Sequence, residues 1–145
     1  MAERVIVRQN DKFEIEFKAV LDPEAEDSEV EPVAHLHALT PHSMLLASLG
    51  ACTTVLLHSY AQHHNVTLPW VKVEAIYRRL SGEECAECEG PDDYREQIVK
   101  TLTLPADLET DVQERLGHVA HQCSIQILLE QGVEVVSHLD EAESA

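Results

Sequence analysis

The sequence predicts an α+β fold, and three features predict it. Two segments near the N-terminus alternate apolar and polar residues with period two. A breaker-poor apolar stretch starting at Pro41 is long enough for one central helix. Two further strand-like segments, an amphipathic helical segment and a last strand-like segment complete the order β-β-(β)-α-β-β-α-β. With 145 residues, 44% of them hydrophobic, the chain suits a single domain over 1–145, with an acidic tail from about residue 140.

The elements follow in order. RVIVRQ (4–9) and KFEIEFKAV (12–20) read as strands joined by a tight turn at Asn10-Asp11. In the second, Phe13, Ile15, Phe17 and Ala19 alternate with polar residues and predict one buried face. The acidic loop DPEAEDSEVE (22–31) follows, then a short strand within PVAHLHAL (32–39). Thr40-Pro41 is a strong helix start, with a hydroxyl cap before a proline at the first helical position. The helix should run to about His64, roughly 36 Å at 1.5 Å per residue.

Leu45, Leu49, Cys52, Leu56 and Tyr60 line one face of that helix, and Leu46, Ala47 and Leu57 widen it. An apolar surface that broad predicts cover on several sides, part of it from a second subunit. Ala47, Ser48, Gly50 and Ala51 are small and would admit another backbone near Cys52. WVKVEAIYRRL (70–80) and EQIVKTLTL (96–104) are predicted strands flanking an acidic CAEC loop. ADLETDVQERLGHVAHQC (106–123) is predicted as a helix with Leu108, Val112, Leu116, Val119 and Cys123 inward, and GVEVVSHL (132–139) as the closing strand.

Composition restricts the function. Ten Lys+Arg against 27 Asp+Glu give a formal charge of −17, a field that disfavours nucleic acid and anionic membranes as partners. MAERVIVRQN has no apolar signal region, and MLLASLGACTTVLL (44–57) is shorter than a bilayer span. A cytoplasmic location is expected, where cysteines begin as thiols.

The four cysteines fall into two sets. Cys52 and Cys123 each sit on the inward stripe of a predicted helix; buried cysteine often only fills a core, but two such stripes can also bring thiols together. Cys85 and Cys88 have the spacing of half a zinc site, which is also the spacing of a reversible disulfide or of two unconnected surface thiols. Nine histidines include HLHALTPH (35–42), leading into the Cys52 helix.

TPHSMLLASLGACTTVLLHSYAQHHNVTLPWVKVEAIY resembles the central segment of the OsmC/Ohr family, the osmotically inducible and organic-hydroperoxide-resistance proteins. AHQCSIQILLEQGVEVV (120–136) resembles that family's second cysteine signature, and SGEECAECEG (81–90) a subgroup with a CxxC between two strands. The resemblance implies about six strands with a long central helix and a second helix, in an intertwined homodimer with sites between subunits. It implies reduction of organic hydroperoxides: Cys52 attacks the peroxide and becomes a sulfenic acid, and Cys123 closes a disulfide that an external dithiol reopens. No resident cofactor is implied, zinc at Cys85 and Cys88 being the one alternative. The family's glutamate, nine or ten residues before the first cysteine, is replaced here by Ser43 and His42, and Ser124 stands where a proline usually follows the second cysteine. His42 is the expected substitute cation. The alternatives are an OsmC-like protein that binds a small hydrophobic ligand without turnover, or a metal-binding dimer.

Overall fold

Alternation of valines with polar residues builds the centre of the sheet. In the computed structural model, which describes residues 3–22, 24 and 29–141, β1 (Glu3–Asn10) pairs antiparallel with both β2 (Ile15–Ala19) and β4 (Trp70–Ser81). A two-residue β3 (Glu31–Pro32) edges β2, and β5 (Tyr94–Thr103) edges β4, giving the order β3-β2-β1-β4-β5 with antiparallel pairing throughout. Opposite residues Val5 and Ala75, Val7 and Val73, and Gln9 and Val71 point to one face, where all are buried.

That face is covered by α1 (Pro41–His63). Its start is capped as the sequence predicts: Thr40 Oγ1 accepts the Ser43 N–H at 3.1 Å and donates to Glu3 Oε1 at 2.6 Å. Of the small residues, Ser48 and Ala51 line the groove beside Cys52 and Ser124, while Gly50 serves close approach to β1. A Cβ on Gly50 would lie 2.5 Å from Val7 Cγ2, so the helix reaches its depth only because position 50 has no side chain.

The side of α1 that meets the sheet differs from the predicted stripe. Ser43, Leu46, Ala47, Gly50, Thr53, Thr54, Leu57, His58 and Ala61 are buried, along with Leu49. Leu45 and Val55 are exposed, and Cys52, Leu56 and Tyr60 are half-buried. The buried threonine hydroxyls bond within the helix, Thr53 to the Leu49 carbonyl at 2.9 Å and Thr54 to that of Ala51 at 3.0 Å. They therefore pack inward without an orphaned donor. By length and composition α1 could cross a bilayer, yet half of its most apolar window is buried inside this fold.

Four expectations need correction. The second strand begins at Ile15 rather than residue 12, because Asn10 Oδ1 accepts the N–H groups of Lys12 and Glu14 and Phe13 adopts a φ of 63°. Residues 36–38 of the expected short strand form a 3-10 turn instead.

The segment predicted as one helix over 106–123 is α2 (Thr110–Ala120), followed by a break and a third helix, α3 (Ser124–Gln131). Cys123 is the residue preceding α3, not the end of α2. Leu116 and Cys123 are both fully buried, as expected, although they belong to different elements.

Finally, 132–139 is not a strand. Among the described residues it follows Gly132 (φ 80°) without pairing to any strand, leaving Val133, Val135, Val136 and Leu139 exposed. A strand exists only with a ladder partner, and this segment has none among the described residues. Five strands, not six, lie among the described residues. Residues 23 and 25–28 of the acidic loop and 142–145 of the acidic tail lie outside the described residues.

Candidate active site

Two core clusters hold the site. Val5, Val7, Leu46, Leu49, Ala75 and Cys123 belong to one; Leu57, Ala61, Leu68, Val71, Leu116 and Ala120 belong to the other. The α2–α3 break lies at their boundary, and it faces the middle of α1. There Cys52 meets it: its Sγ is 3.5 Å from Ser124 Oγ. Both cysteines are free thiols, and both line a groove of about 590 Å³ with Ser48, Ala51, Val55 and Ser124. The structure thus brings together the two residues singled out from sequence.

The electrostatics of Cys52 come from α3. Burial is the largest single influence and pushes the thiol up. Against it stand hydrogen bonds from the Ser124 hydroxyl, the Ile125 N–H, the Cys123 thiol and the Ser124 N–H, which together leave Cys52 below the ordinary thiol range. Two of those donors are unpaired N–H groups of the first turn of a helix, where the backbone dipole also favours a negative charge. Ser124, which departs from the family pattern, is here a donor to the sulfur. Cys123 precedes it fully buried, its Sγ 4.0 Å from the Leu49 carbonyl.

His42 is not at this site. It lies ten residues before Cys52 on the same helix, about 15 Å along the axis. Its ring packs at a tilt of 36° against Tyr77, centroids 4.6 Å apart, and Nδ1 is 3.6 Å from Glu3 Oε2. It lines a separate cavity of about 770 Å³ whose walls include Leu45, Leu49, Tyr77, Ile98 and Leu129.

The cation that does reach the cysteines was missed in the sequence: Lys100, on β5. Its Nζ donates to Thr53 Oγ1 at 3.2 Å and to the Ala120 carbonyl at 2.9 Å. It therefore ties the end of α2 to the middle of α1, one residue from Cys52. Burial lowers the Lys100 amine below its ordinary range, while the charges of Cys123, Cys52 and Glu130 pull it back up. The signal was present: Lys100 has the strand parity of Ile98 and Leu102, both of which pack against the core, so its side chain had to point inward.

Cys85 and Cys88 lie apart, joined in a disulfide within the β4–β5 loop. A zinc ion would need both as thiolates and two more ligands. Among the described residues no group of three or more His, Cys, Asp or Glu is arranged to hold a metal. The pair as bonded does not fit zinc.

The pattern of the OsmC-like proteins matches residues 33–138. The chain belongs to the OsmC-like family. A solved OsmC-like hydroperoxide resistance protein from Jannaschia sp. CCS1 shares the fold of this OsmC-like chain, with a TM-score of 0.66 at 14% identity. The match covers 99% of this chain and 95% of that one. No curated protein matches it.

Proposed function

We propose that this OsmC-like protein reduces organic hydroperoxides through Cys52 and Cys123. The observation that carries this reading is the Cys52 Sγ lying 3.5 Å from Ser124 Oγ at the start of α3, in a groove that Cys123 also lines, where hydrogen bonding holds the thiol below its ordinary range. The Cys52 thiolate attacks the terminal oxygen of ROOH, the O–O bond breaks, and the alcohol leaves once protonated. Cys52 is then a sulfenic acid. Cys123 attacks that sulfur, the S–O bond breaks, and water leaves as the disulfide forms; an external dithiol restores both thiols. The mostly apolar groove suits an alkyl chain better than hydrogen peroxide.

The same reading includes a cytoplasmic homodimer. Leu45 and Val55 on α1 and the valines of 133–136 are exposed on one chain, and β5 has a free edge. A second copy that covers them would bury well above roughly 2,000 Å² in total. Sedimentation that finds a stable folded monomer at micromolar concentration contradicts this part.

A second reading is favoured by the 770 Å³ cavity, where Leu45, Leu49, Ile98 and Leu129 stand beside charged residues such as Arg95 and Glu130 and no cysteine: an OsmC-like protein that binds a small, largely hydrophobic molecule without turning it over. The test between them uses Cys123→Ser. Under the peroxidase reading, cumene hydroperoxide leaves a trappable sulfenic acid on Cys52, which then over-oxidises with excess peroxide. Under the binding reading Cys52 remains a thiol.

A further inference from the structure

The peroxidase reading leaves one piece of chemistry unused, the Cys85–Cys88 disulfide. Its loop joins β4 to β5, with its turns set by the Cys85 N–H on the Gly82 carbonyl at 3.2 Å and the Glu89 N–H on Asp93 Oδ2 at 3.1 Å. The two sulfurs are not equivalent: Cys85 is buried and Cys88 half-buried. Around them, residues 82–93 hold six carboxylates and no lysine or arginine. Of the flanking cations, Arg95 is paired with Glu87, and Arg79 lies over the Tyr94 ring. Any thiol or disulfide that approaches this loop meets a strongly negative field.

We propose that Cys85 and Cys88 form a second thiol–disulfide exchange centre, separate from Cys52 and Cys123, that selects uncharged or cationic thiol partners and rejects anionic ones. Reduction begins at the accessible sulfur. A partner thiolate attacks Cys88 Sγ, the S–S bond breaks, and Cys85 leaves with the electron pair and takes a proton. The second thiolate of a dithiol partner then attacks the mixed disulfide and releases Cys88. Oxidation by a small disulfide is the reverse: two thiols of the loop lose two electrons, and two partner thiols are produced. The charge preference acts on the same transition state in both directions. The six carboxylates of residues 82–93, clustered in sequence about the two cysteines, should separate cationic from neutral partners by roughly tenfold at low salt.

The test uses the unmodified chain, reduced and freed of reductant. It is exposed in about 10 mM salt to cystamine, 2-hydroxyethyl disulfide or dithiodiethanesulfonate, which are cationic, neutral and anionic. Remaining thiols are alkylated with iodoacetamide and counted on the peptide that holds Cys85 and Cys88. The expected order of closure is cystamine, then the neutral reagent, then the sulfonate, each step roughly tenfold beyond the same ratio for free dithiothreitol. The spread should shrink to about threefold or less in 0.5 M NaCl, and in a variant with Glu83, Glu84 and Glu89 changed to Gln. Failure of the peptide to close with any reagent overturns the proposal, as does closure at the ratios of free dithiothreitol.

Discussion

Replacing Ser124 by alanine removes one atom that the account makes responsible for a reactive thiol. Ser124 Oγ lies 3.5 Å from Cys52 Sγ and is the strongest of the contacts that lower the thiol. A hydrogen bond to a charged acceptor contributes about 1.5–3 kcal/mol when well made, and the length and partial exposure of this one argue for about 1 kcal/mol. That is about a fivefold loss of thiolate at a pH below the thiol's titration. The thiolate that remains is more basic and so about twofold more nucleophilic, for a Brønsted slope near 0.45. The net expectation is alkylation of Cys52 by iodoacetamide two- to threefold slower near pH 6, read by peptide mass. At high pH, where both proteins are fully thiolate, the variant should be as fast or about twofold faster, so the two pH profiles cross. Ser124→Thr, which keeps the hydroxyl, should follow the wild-type curve. Superimposable profiles for Ser124→Ala would refute the role given to this residue and weaken the case for α3 as the activating element.

Three more perturbations follow from the same structure. Lys100→Met should slow Cys52 alkylation below pH 7 by about threefold, with Lys100→Arg retaining most of the rate, because Lys100 Nζ bonds Thr53, the neighbour of Cys52, and the Ala120 carbonyl at the end of α2. Gly50→Ala should cost about 1–3 kcal/mol in urea unfolding, since its Cβ would overlap Val7 Cγ2 at the helix–sheet contact. His58 is buried with Nδ1 2.8 Å from Gln9 Oε1, and burial holds its ring below the ordinary 6.5 despite the Thr54 and Leu68 carbonyls. The unfolded chain therefore binds a proton that the folded one refuses, so the stability present above about pH 6.5 is lost as pH falls toward the folded value. Urea midpoints at pH 7.5, 6.5 and 5.5 should decline, and His58→Gln should flatten that decline.

Where the sequence was legible, a local rule and the tertiary fold agreed. Thr40-Pro41 starts α1 because the cap chemistry is complete within four residues. β1 and β4 show their period because one face of each is buried against α1. The α2–α3 break was hidden because Leu116 and Cys123 are seven apart and both buried, so a single helical stripe runs through a turn without a visible interruption. Ile125, Leu128 and Leu129, ahead of Gly132, carried the missing helix signal. The closing strand was misread for a different reason. Alternation in GVEVVSHL reports a preference for pairing, and among the described residues the segment pairs with no strand, the β5 edge included. As for the site, Cys52 and Cys123 were visible as residues, but their activating groups were not. Backbone N–H groups have no sequence signature, and Lys100 shows itself only through strand parity.

The central claim is that Cys52 is an activated thiol resolved by Cys123, and stopped-flow oxidation of the reduced wild-type protein tests it most directly. Cumene hydroperoxide and hydrogen peroxide are compared at equal concentration, and the products are identified by peptide mass. The account predicts faster oxidation by cumene hydroperoxide, ending in a Cys52–Cys123 disulfide with no sulfinic acid while Cys123 is present. A Cys52 thiol that reacts with neither peroxide faster than a free cysteine, or that oxidises without ever bonding to Cys123, would contradict it.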